Sequence, residues 1–373
     1  MNMVGSEADV QASDTRLATV VIGAGQAGLS AAHHLLRKGY KPYEDFVVLD
    51  ANEGPGGAWR HRWDTLTFGK AHGLHPLPGM AFVTPDPNEP ASAVVARYYG
   101  AYEQHFELPV IRPFKVKHVA GSLEEGFTVT STDGRQLDAA SIINATGTWD
   151  KPYWPAYPGQ REFTGRQLHT KDFHSPEEFL GQRVLVVGGG TSAAQFLLQF
   201  ADLGIDTLWS TRRPPQWRTA PKDSSWGIGV EAEVNERTHS GAPPRSVVSV
   251  TGLPLTDFYT AGIESGVLVS RGGIARIGER SVEFTDGSVE HIDVILWATG
   301  FRASLDQLAA LGIREPGGGI LMGEDSVSVA KVPGLFLVGY GASASTIGAT
   351  RAGRAAAVGA SRLLAEHLPV AVH

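Results

Sequence analysis

Two short glycine runs carry the first chemistry visible in this 373-residue chain. Gly23-Ala-Gly25-Gln26-Ala-Gly28 follows the apolar run Leu17–Ile22 and precedes a helical stretch, Leu29–Lys38. Gly188-Gly-Gly190-Thr191-Ser192-Ala193 follows Arg183–Val187 and precedes a second such stretch, Ala194–Leu203. In a strand–turn–helix of this kind the first glycine permits the tight turn, and the second lets backbone approach a pyrophosphate. The third, small residue lets the helix pack closely, and the helix N-terminus faces the phosphates. One run alone would be a weak signal, since a tight turn needs no ligand. Two in the same context point to two dinucleotide sites.

The two copies differ where specificity is set. After the first, the strand Phe46–Asp50 ends on Asp50, an acceptor placed for the ribose hydroxyls of an adenosine. A second glycine-rich turn follows, with Gly57, Trp59 and Arg60. After the second, the strand Asp206–Ser210 has no acid at the equivalent place, and Arg212 and Arg213 stand there instead. Two guanidiniums suit a 2′-phosphate through charge-assisted, bidentate bonds, although a solvated surface pair would read the same. The first unit is therefore expected to hold FAD, and the second NADPH in preference to NADH.

Each copy has later partners in the same order. Phe127–Gly134 carries an Asp-Gly turn, and Ala145-Thr146-Gly147 begins twelve residues after Asp133. Ser281–Gly287 carries another, and Ala298-Thr299-Gly300 begins twelve residues after Asp286. An Asp-Gly pair between β-rich runs marks a hairpin. The fold expected is α/β, with two Rossmann-type dinucleotide-binding domains. The NADPH domain (161–297) is inserted into a discontinuous FAD domain (1–160 and 298–373).

Composition narrows the chemistry further. There is no Cys, which excludes disulfide scaffolds, Cys-ligated zinc, iron–sulfur clusters and dithiol redox centres. The net charge of −7 does not favour nucleic acid as a partner. Leu17–Leu36 has the length of a membrane span but contains Gln26, His33, His34 and a glycine fingerprint, so it reads as a buried strand and helix. No membrane association is expected, and a cytoplasmic location follows by default. None of the thirteen His falls in a metal-ligand spacing, and no metal is expected.

Between the fingerprints, Phe163-Thr-Gly165-Arg-Gln-Leu-His169-Thr-Lys-Asp-Phe173 resembles the signature F-x-G-x-x-x-H-x-x-x-F/Y of the flavin-containing monooxygenases, class B flavoprotein monooxygenases. The Gly56–Arg60 run, the two Ala-Thr-Gly segments and Pro152/Pro155 are similar too, so the resemblance covers residue 17 to the C-terminus. Baeyer–Villiger relatives end the signature with Trp and then Pro or Asp, whereas Phe173 and His174 stand here. The resemblance implies reduction of FAD by NADPH, capture of O2 as a C4a-(hydro)peroxyflavin, and oxygenation of an N or S centre of a small organic molecule. The alternative within the enzyme class is an NADPH-dependent flavin oxidoreductase that passes electrons to an acceptor without oxygen insertion. A cofactor-binding sensor without turnover is the alternative outside it.

The same resemblance assigns site residues. His169 is tied to domain coupling, not to general-base work, unless it only caps or packs the linker. Where many members carry an Asn near the flavin, this chain has Lys70 and His72, either a polar pair beside the flavin or NADP⁺ or loop residues at a domain edge. Gly339, in Leu335–Gly341, and Ile347, at the start of an Ala-rich helix over Ser343–Leu364, belong to the element that closes the FAD site. That helix start can aim N–H groups at the flavin N1–C2 carbonyl region. Tyr340 stands where some reductases have an Asp on the ribityl chain. Trp217, Trp226 and the Pro214–Pro244 region are candidates for the substrate side or for plain packing. The expected partners are a small-molecule substrate and O2, with a homodimer left open.

Overall fold

The structure, a computed structural model, describes residues 16–71, 74–219, 234–244 and 252–367. One sheet contains β1 (Leu17–Ile22), β2 (Phe46–Leu49), β3 (Val110–Ile111), β4 (Val116–Ser122), β5 (Gly126–Ser131) and β6 (Gln136–Asn144). The order β3-β2-β1-β6 is parallel, while β4, β5 and the first half of β6 form an antiparallel meander. The second sheet contains β7 (Arg166–His169), β8 (Arg183–Val187), β9 (Asp206–Ser210) and β15 (Val294–Trp297), in the parallel order β7-β15-β8-β9. Between β9 and β15 lie the short pair β10 (Trp217–Arg218) and β11 (Leu253–Pro254), then a meander of β12 (Ile274–Ile277), β13 (Ser281–Phe284) and β14 (Val289–His291). β16 (Leu335–Leu337) returns to the first sheet, parallel to the far end of β6.

The central strands read as continuous apolar runs because both of their faces are covered. In β1, Val21 faces the cluster built with α1 (Gln26–Arg37), α2 (Ala91–His105) and the terminal helix, while Val20 and Ile22 face the meander side. In β8, Val184 and Val186 face α3 (Thr191–Asp202) and α4 (Asp257–Glu264), while Leu185 and Val187 face β12–β14. Each unit is thus three layers: helices, a parallel sheet and an antiparallel meander. The repeated order of fingerprint, hairpin and Ala-Thr-Gly is the sequence image of that stack.

Both fingerprint helices start three residues earlier than the apolar pattern indicates, at Gln26 and Thr191. The small residues of the fingerprint are already helical, with Gly25 and Gly190 as N-caps. The terminal helix, α5 (Thr346–His367), starts later than Ser343, after a 3₁₀ turn over Gly341–Ala344. Among the described residues, no helix is long and apolar enough to cross a membrane.

α5 closes the first unit by packing across α1. Its buried face is Ala352, Ala356, Ala357 and Ala360, and at the crossing point sits Gly353. A Cβ there would lie 2.5 Å from the Ala27 carbonyl oxygen and 2.9 Å from the Ala31 nitrogen, both fixed backbone atoms. Gly353→Ala should therefore force the helices apart and cost about 1–3 kcal/mol of stability, the usual penalty of overpacking. Urea unfolding checks this, and an unchanged midpoint would show that the crossing tolerates a methyl group.

Candidate functional site

The two fingerprints fold alike, bond for bond. The Gly23 N–H donates to Leu49 O (2.6 Å) and the Ala145 N–H to Ile22 O (2.7 Å); in the second copy Gly188 donates to Ser210 O (2.9 Å) and Ala298 to Val187 O (2.8 Å). The first glycine of each run lies directly against the Ala-Thr-Gly segment. A Cβ on Gly23 (φ +106°) would fall 2.5 Å from Ala145 O, and one on Gly188 (φ +142°) 2.1 Å from Ala298 O. Gly28 fills the third small position, tight under Gly23.

Helices α1 and α3 both begin without a side-chain cap and without an acid in the first turn. A helix N-terminus has four backbone N–H groups with no partner inside the helix, and it carries the positive end of the dipole. The donor set of each start therefore fits a pyrophosphate. Thr191 and Ser192 occupy the first turn of α3, half-buried. Gln26 serves differently: its amide donates to His75 O and Thr350 Oγ1 and accepts from the Tyr99 hydroxyl, joining α1 to α2 and α5.

Asp50 is 3% exposed. One oxygen accepts from the Ala24 N–H (2.9 Å), the other from the Asn52 N–H (2.7 Å) and Asn52 Nδ2 (2.8 Å). It thereby locks the glycine loop onto the end of β2, and an ionised carboxylate keeps lone-pair capacity beyond those three bonds. Behind it, Arg112 forks onto Glu103 at 2.6 and 2.8 Å. In the second glycine-rich turn Gly57 abuts Gly25, and Trp59 packs against the cores of both sheets. Arg60 is exposed and folds back towards Pro55 O. Arg212 and Arg213 stand exposed just past β9.

The chain crosses between the sheets twice, and the two crossings pair with each other. Tyr153 N–H donates to Gly300 O (2.9 Å), Arg302 N–H to Lys151 O (2.8 Å) and Ser304 N–H to Gly147 O (2.9 Å). The Thr146 hydroxyl donates to Ser304 O and the Thr299 hydroxyl to Tyr153 O, so both Ala-Thr-Gly segments are stitched into this ribbon. Gly339 lies against Gly147, bringing the C-terminal element to the same place.

His169 is fully buried at the ribbon. Its Nδ1 accepts from the Lys171 N–H (3.2 Å), which places the proton on Nε2, and that group donates to Gly300 O (3.0 Å). Burial pushes its pKa below the ordinary 6.5. With both nitrogens engaged, the ring holds the linker and caps the turn Thr170–Asp172. The two ends of the signature plug opposite cores: Phe163 on the meander side, Phe173 under α3.

Of the other candidates, Lys70 is exposed, and its carbonyl, not its ammonium, meets α3 through Gln195 Nε2 (3.2 Å). His72 and Trp226 lie outside the described residues. Ile347 falls in the first turn of α5. Trp217 packs beside Trp209 and Tyr259. Tyr340 is a core residue whose hydroxyl accepts from the Ile320 N–H.

Sequence reading passed over an aromatic stack at the ribbon. His61 stacks on Trp149 (5.9 Å), Trp149 on Phe301 (5.0 Å), and Phe301 meets His169 edge-on (4.9 Å). Trp149 and Phe301 each follow an Ala-Thr-Gly segment by one or two residues, a parallel that could have marked them. Arg62 sits beside this stack and was also missed.

A family model described as pyridine nucleotide-disulphide oxidoreductase matches residues 20–248. A flavin-containing monooxygenase structure from Stenotrophomonas maltophilia is 33% identical and superposes with a TM-score of 0.75, covering 92% of this chain and 98% of its own. The uncharacterized oxidoreductase CzcO of Bacillus velezensis is 24% identical over 325 residues, 86% of this chain and 91% of that protein. Indole-3-pyruvate monooxygenase YUCCA1 of Oryza sativa subsp. japonica is 27% identical over 318 residues, 77% of each. The α/β fold with mixed, Rossmann-like sheets is that of the flavin monooxygenase structures.

His169→Phe would keep the ring's bulk but leave Gly300 O and the Lys171 N–H unpaired, at a cost of about 1–3 kcal/mol. The pH dependence follows from the depressed pKa. The unfolded histidine takes up a proton near its ordinary 6.5 while the buried one stays neutral, so this contribution is present above 6.5 and is lost as pH falls below it. Urea unfolding at about pH 5 and about pH 8 should show the variant losing less stability on acidification than the parent. Equal losses would mean that His169 does not titrate differently on folding.

Proposed function

From the premise that the chain belongs to the pyridine nucleotide-disulphide oxidoreductase family, and within it to the flavin-containing monooxygenases, we infer that this oxidoreductase is an NADPH- and O2-dependent FAD monooxygenase. Its substrate is a small organic molecule with an oxidisable N or S centre. The reading rests on one observation above all: two open, acid-free helix starts in a chain without cysteine. Two dinucleotides need two such starts, and without a thiol pair the electrons from a pyridine nucleotide need another acceptor.

In this reading the FAD unit is 1–160 with 298–373, and the NADPH unit 161–297 is inserted into it. The flavin, when bound, supplies the redox chemistry and the activation of oxygen. The protein's part is binding, orientation and the exclusion of water. The start of α1, with Gly23 and Gly25, takes the FAD pyrophosphate. Asp50 sets that loop and offers a remaining lone pair to the ribose. Gly57, Trp59, Arg60, Thr146, Gly147 and Gly339 would help to hold the flavin, and the first turn of α5 at Ile347 would offer it backbone N–H groups. Gly188, Gly190, Thr191 and Ser192 take the NADPH pyrophosphate, and Arg212 and Arg213 its 2′-phosphate. His169, Thr299 and Gly300 position the linker that sets how the two cofactors meet. Lys70 and His72 are proposed to border the same space.

Two measurements test this. Purified holoenzyme supplied with NADPH, ¹⁸O2 and a panel of amines and sulfides should yield a labelled N- or S-oxide in step with NADPH consumption. Release of hydrogen peroxide alone with every substrate, or electron transfer to an added quinone without label, would replace oxygenation by simple electron transfer. For the nucleotide, replacing both Arg212 and Arg213 with Ala removes two exposed charge-assisted contacts of about 1 kcal/mol each. The KM for NADPH should rise about tenfold or more, and that for NADH less than about threefold. An unchanged preference would detach these arginines from the 2′-phosphate.

A further inference from the structure

Arg62 is a cation that the cofactor assignments leave unused. It follows the second glycine-rich turn, and its guanidinium carbon lies 4.7 Å from the ring centre of Trp149, 5.8 Å from Trp59 and 5.9 Å from Trp63. Trp59 and Trp63 flank Arg62 in its own segment, and Trp149 comes from a distant one. Trp59 spans the cores of both sheets, Trp63 packs on Phe173 and Phe196 of the second unit, and Trp149 belongs to the linker ribbon. Arg62 therefore sits at the seam where the two units meet.

Its environment is one-sided. Indole rings attract a cation at their faces and so cover the guanidinium without using its N–H groups. Those N–H groups, five donors in a flat fork, have no acceptor and no carboxylate partner among the described residues. They are not sealed in either, since no Arg62 nitrogen is among the buried atoms that lack a partner. Desolvation alone, with no neighbouring charge, pushes the pKa down to about 10. A charge held this way is costly unless something completes it. Arg112, by contrast, forks onto a carboxylate of its own chain, Glu103, at 2.6 and 2.8 Å.

We propose that Arg62 binds an oxyanion carried into the seam by the substrate: the carboxylate of a small, flat organic acid whose ring lies against the tryptophans. A carboxylate matches the fork with two parallel bonds, and the indoles supply the apolar surface for the rest of such a molecule. The phosphates of the cofactors have other holders, at the starts of α1 and α3 and at Arg212 and Arg213. This inference names the substrate class for the site proposed above and rests on that site receiving substrate, but it does not depend on oxygen being inserted.

The test is a binding measurement on oxidised holoenzyme, with neither O2 consumption nor NADPH turnover involved. Phenylacetate and its neutral counterpart phenylacetamide are titrated while tryptophan fluorescence and the flavin absorbance band are followed. Phenylacetate should bind at least about tenfold more tightly than the amide. Arg62→Met should abolish that preference, and Arg62→Lys, which keeps the charge but not the fork, should reduce it about three- to tenfold. The Kd for NADP⁺ should change less than about threefold in both variants. Equal binding of acid and amide by the parent enzyme overturns the proposal without recourse to any variant. So does a preference that survives in Arg62→Met, or a loss confined to NADP⁺, which would return Arg62 to the cofactor. Failure of the ¹⁸O2 experiment would leave this binding result untouched, so the two readings fail separately.

Discussion

The constraint on which the rest depends is the contact between each fingerprint's first glycine and the carbonyl of the Ala that ends the neighbouring strand. Gly23 against Ala145 and Gly188 against Ala298 are backbone-to-backbone approaches that no side chain could share. They require a parallel pair of strands, β1 with β6 and β8 with β15, ending at the same level. That shared level lets each chain turn sharply into a helix whose free N–H groups face outward over the strand ends. It also launches each Ala-Thr-Gly segment into the linker ribbon. The two open helix starts, the ribbon and the seam are thus consequences of one close approach, made twice.

Much of this could be read from the sequence, because the decisive signals are local. The fingerprints, the two Asp-Gly hairpins and the Ala-Thr-Gly segments lie within short windows, and their repetition in order points to two Rossmann-like α/β units. The helix starts were displaced by three residues for a physical reason: Gln26-Ala-Gly28 and Thr191-Ser-Ala193 are too small to show an apolar period, yet they already form the first turn. What could not be read are contacts between distant segments. The stack of Trp149 on Phe301 joins residues 152 positions apart, and Arg62 meets Trp149 from 87 positions away. Asp50 is instructive in the same way. Its type and position indicate a ribose acceptor, and the structure adds a second duty, since its oxygens also shape the loop.

The signature between the fingerprints takes on a mechanical sense. Phe163 and Phe173 are inserted into the cores on opposite faces of the second sheet, which fixes the edge strand β7 between them. His169, at the end of that strand, grips the returning linker at Gly300. A polar contact of this sort is specific in direction where two apolar plugs alone are not. Exchanging it for an apolar ring would leave a carbonyl and an N–H without partners. The histidine therefore sets where the second Ala-Thr-Gly segment emerges, and through Tyr153 and Gly147 it also sets the register of the whole ribbon.

The cations near the proposed cofactor space divide by solvation, and that division argues for different duties. Arg212, Arg213 and Lys70 are exposed. Water screens them, so each gains from a ligand only what a surface contact can give, and together they are suited to capturing and selecting a multiply charged nucleotide. Arg62 is half-buried among three indoles. In that low-dielectric setting an arriving carboxylate meets a stronger attraction and displaces little solvent from the cation itself. The same indoles lie on both sides of the seam, so the position of the guanidinium follows the relative placement of the two units.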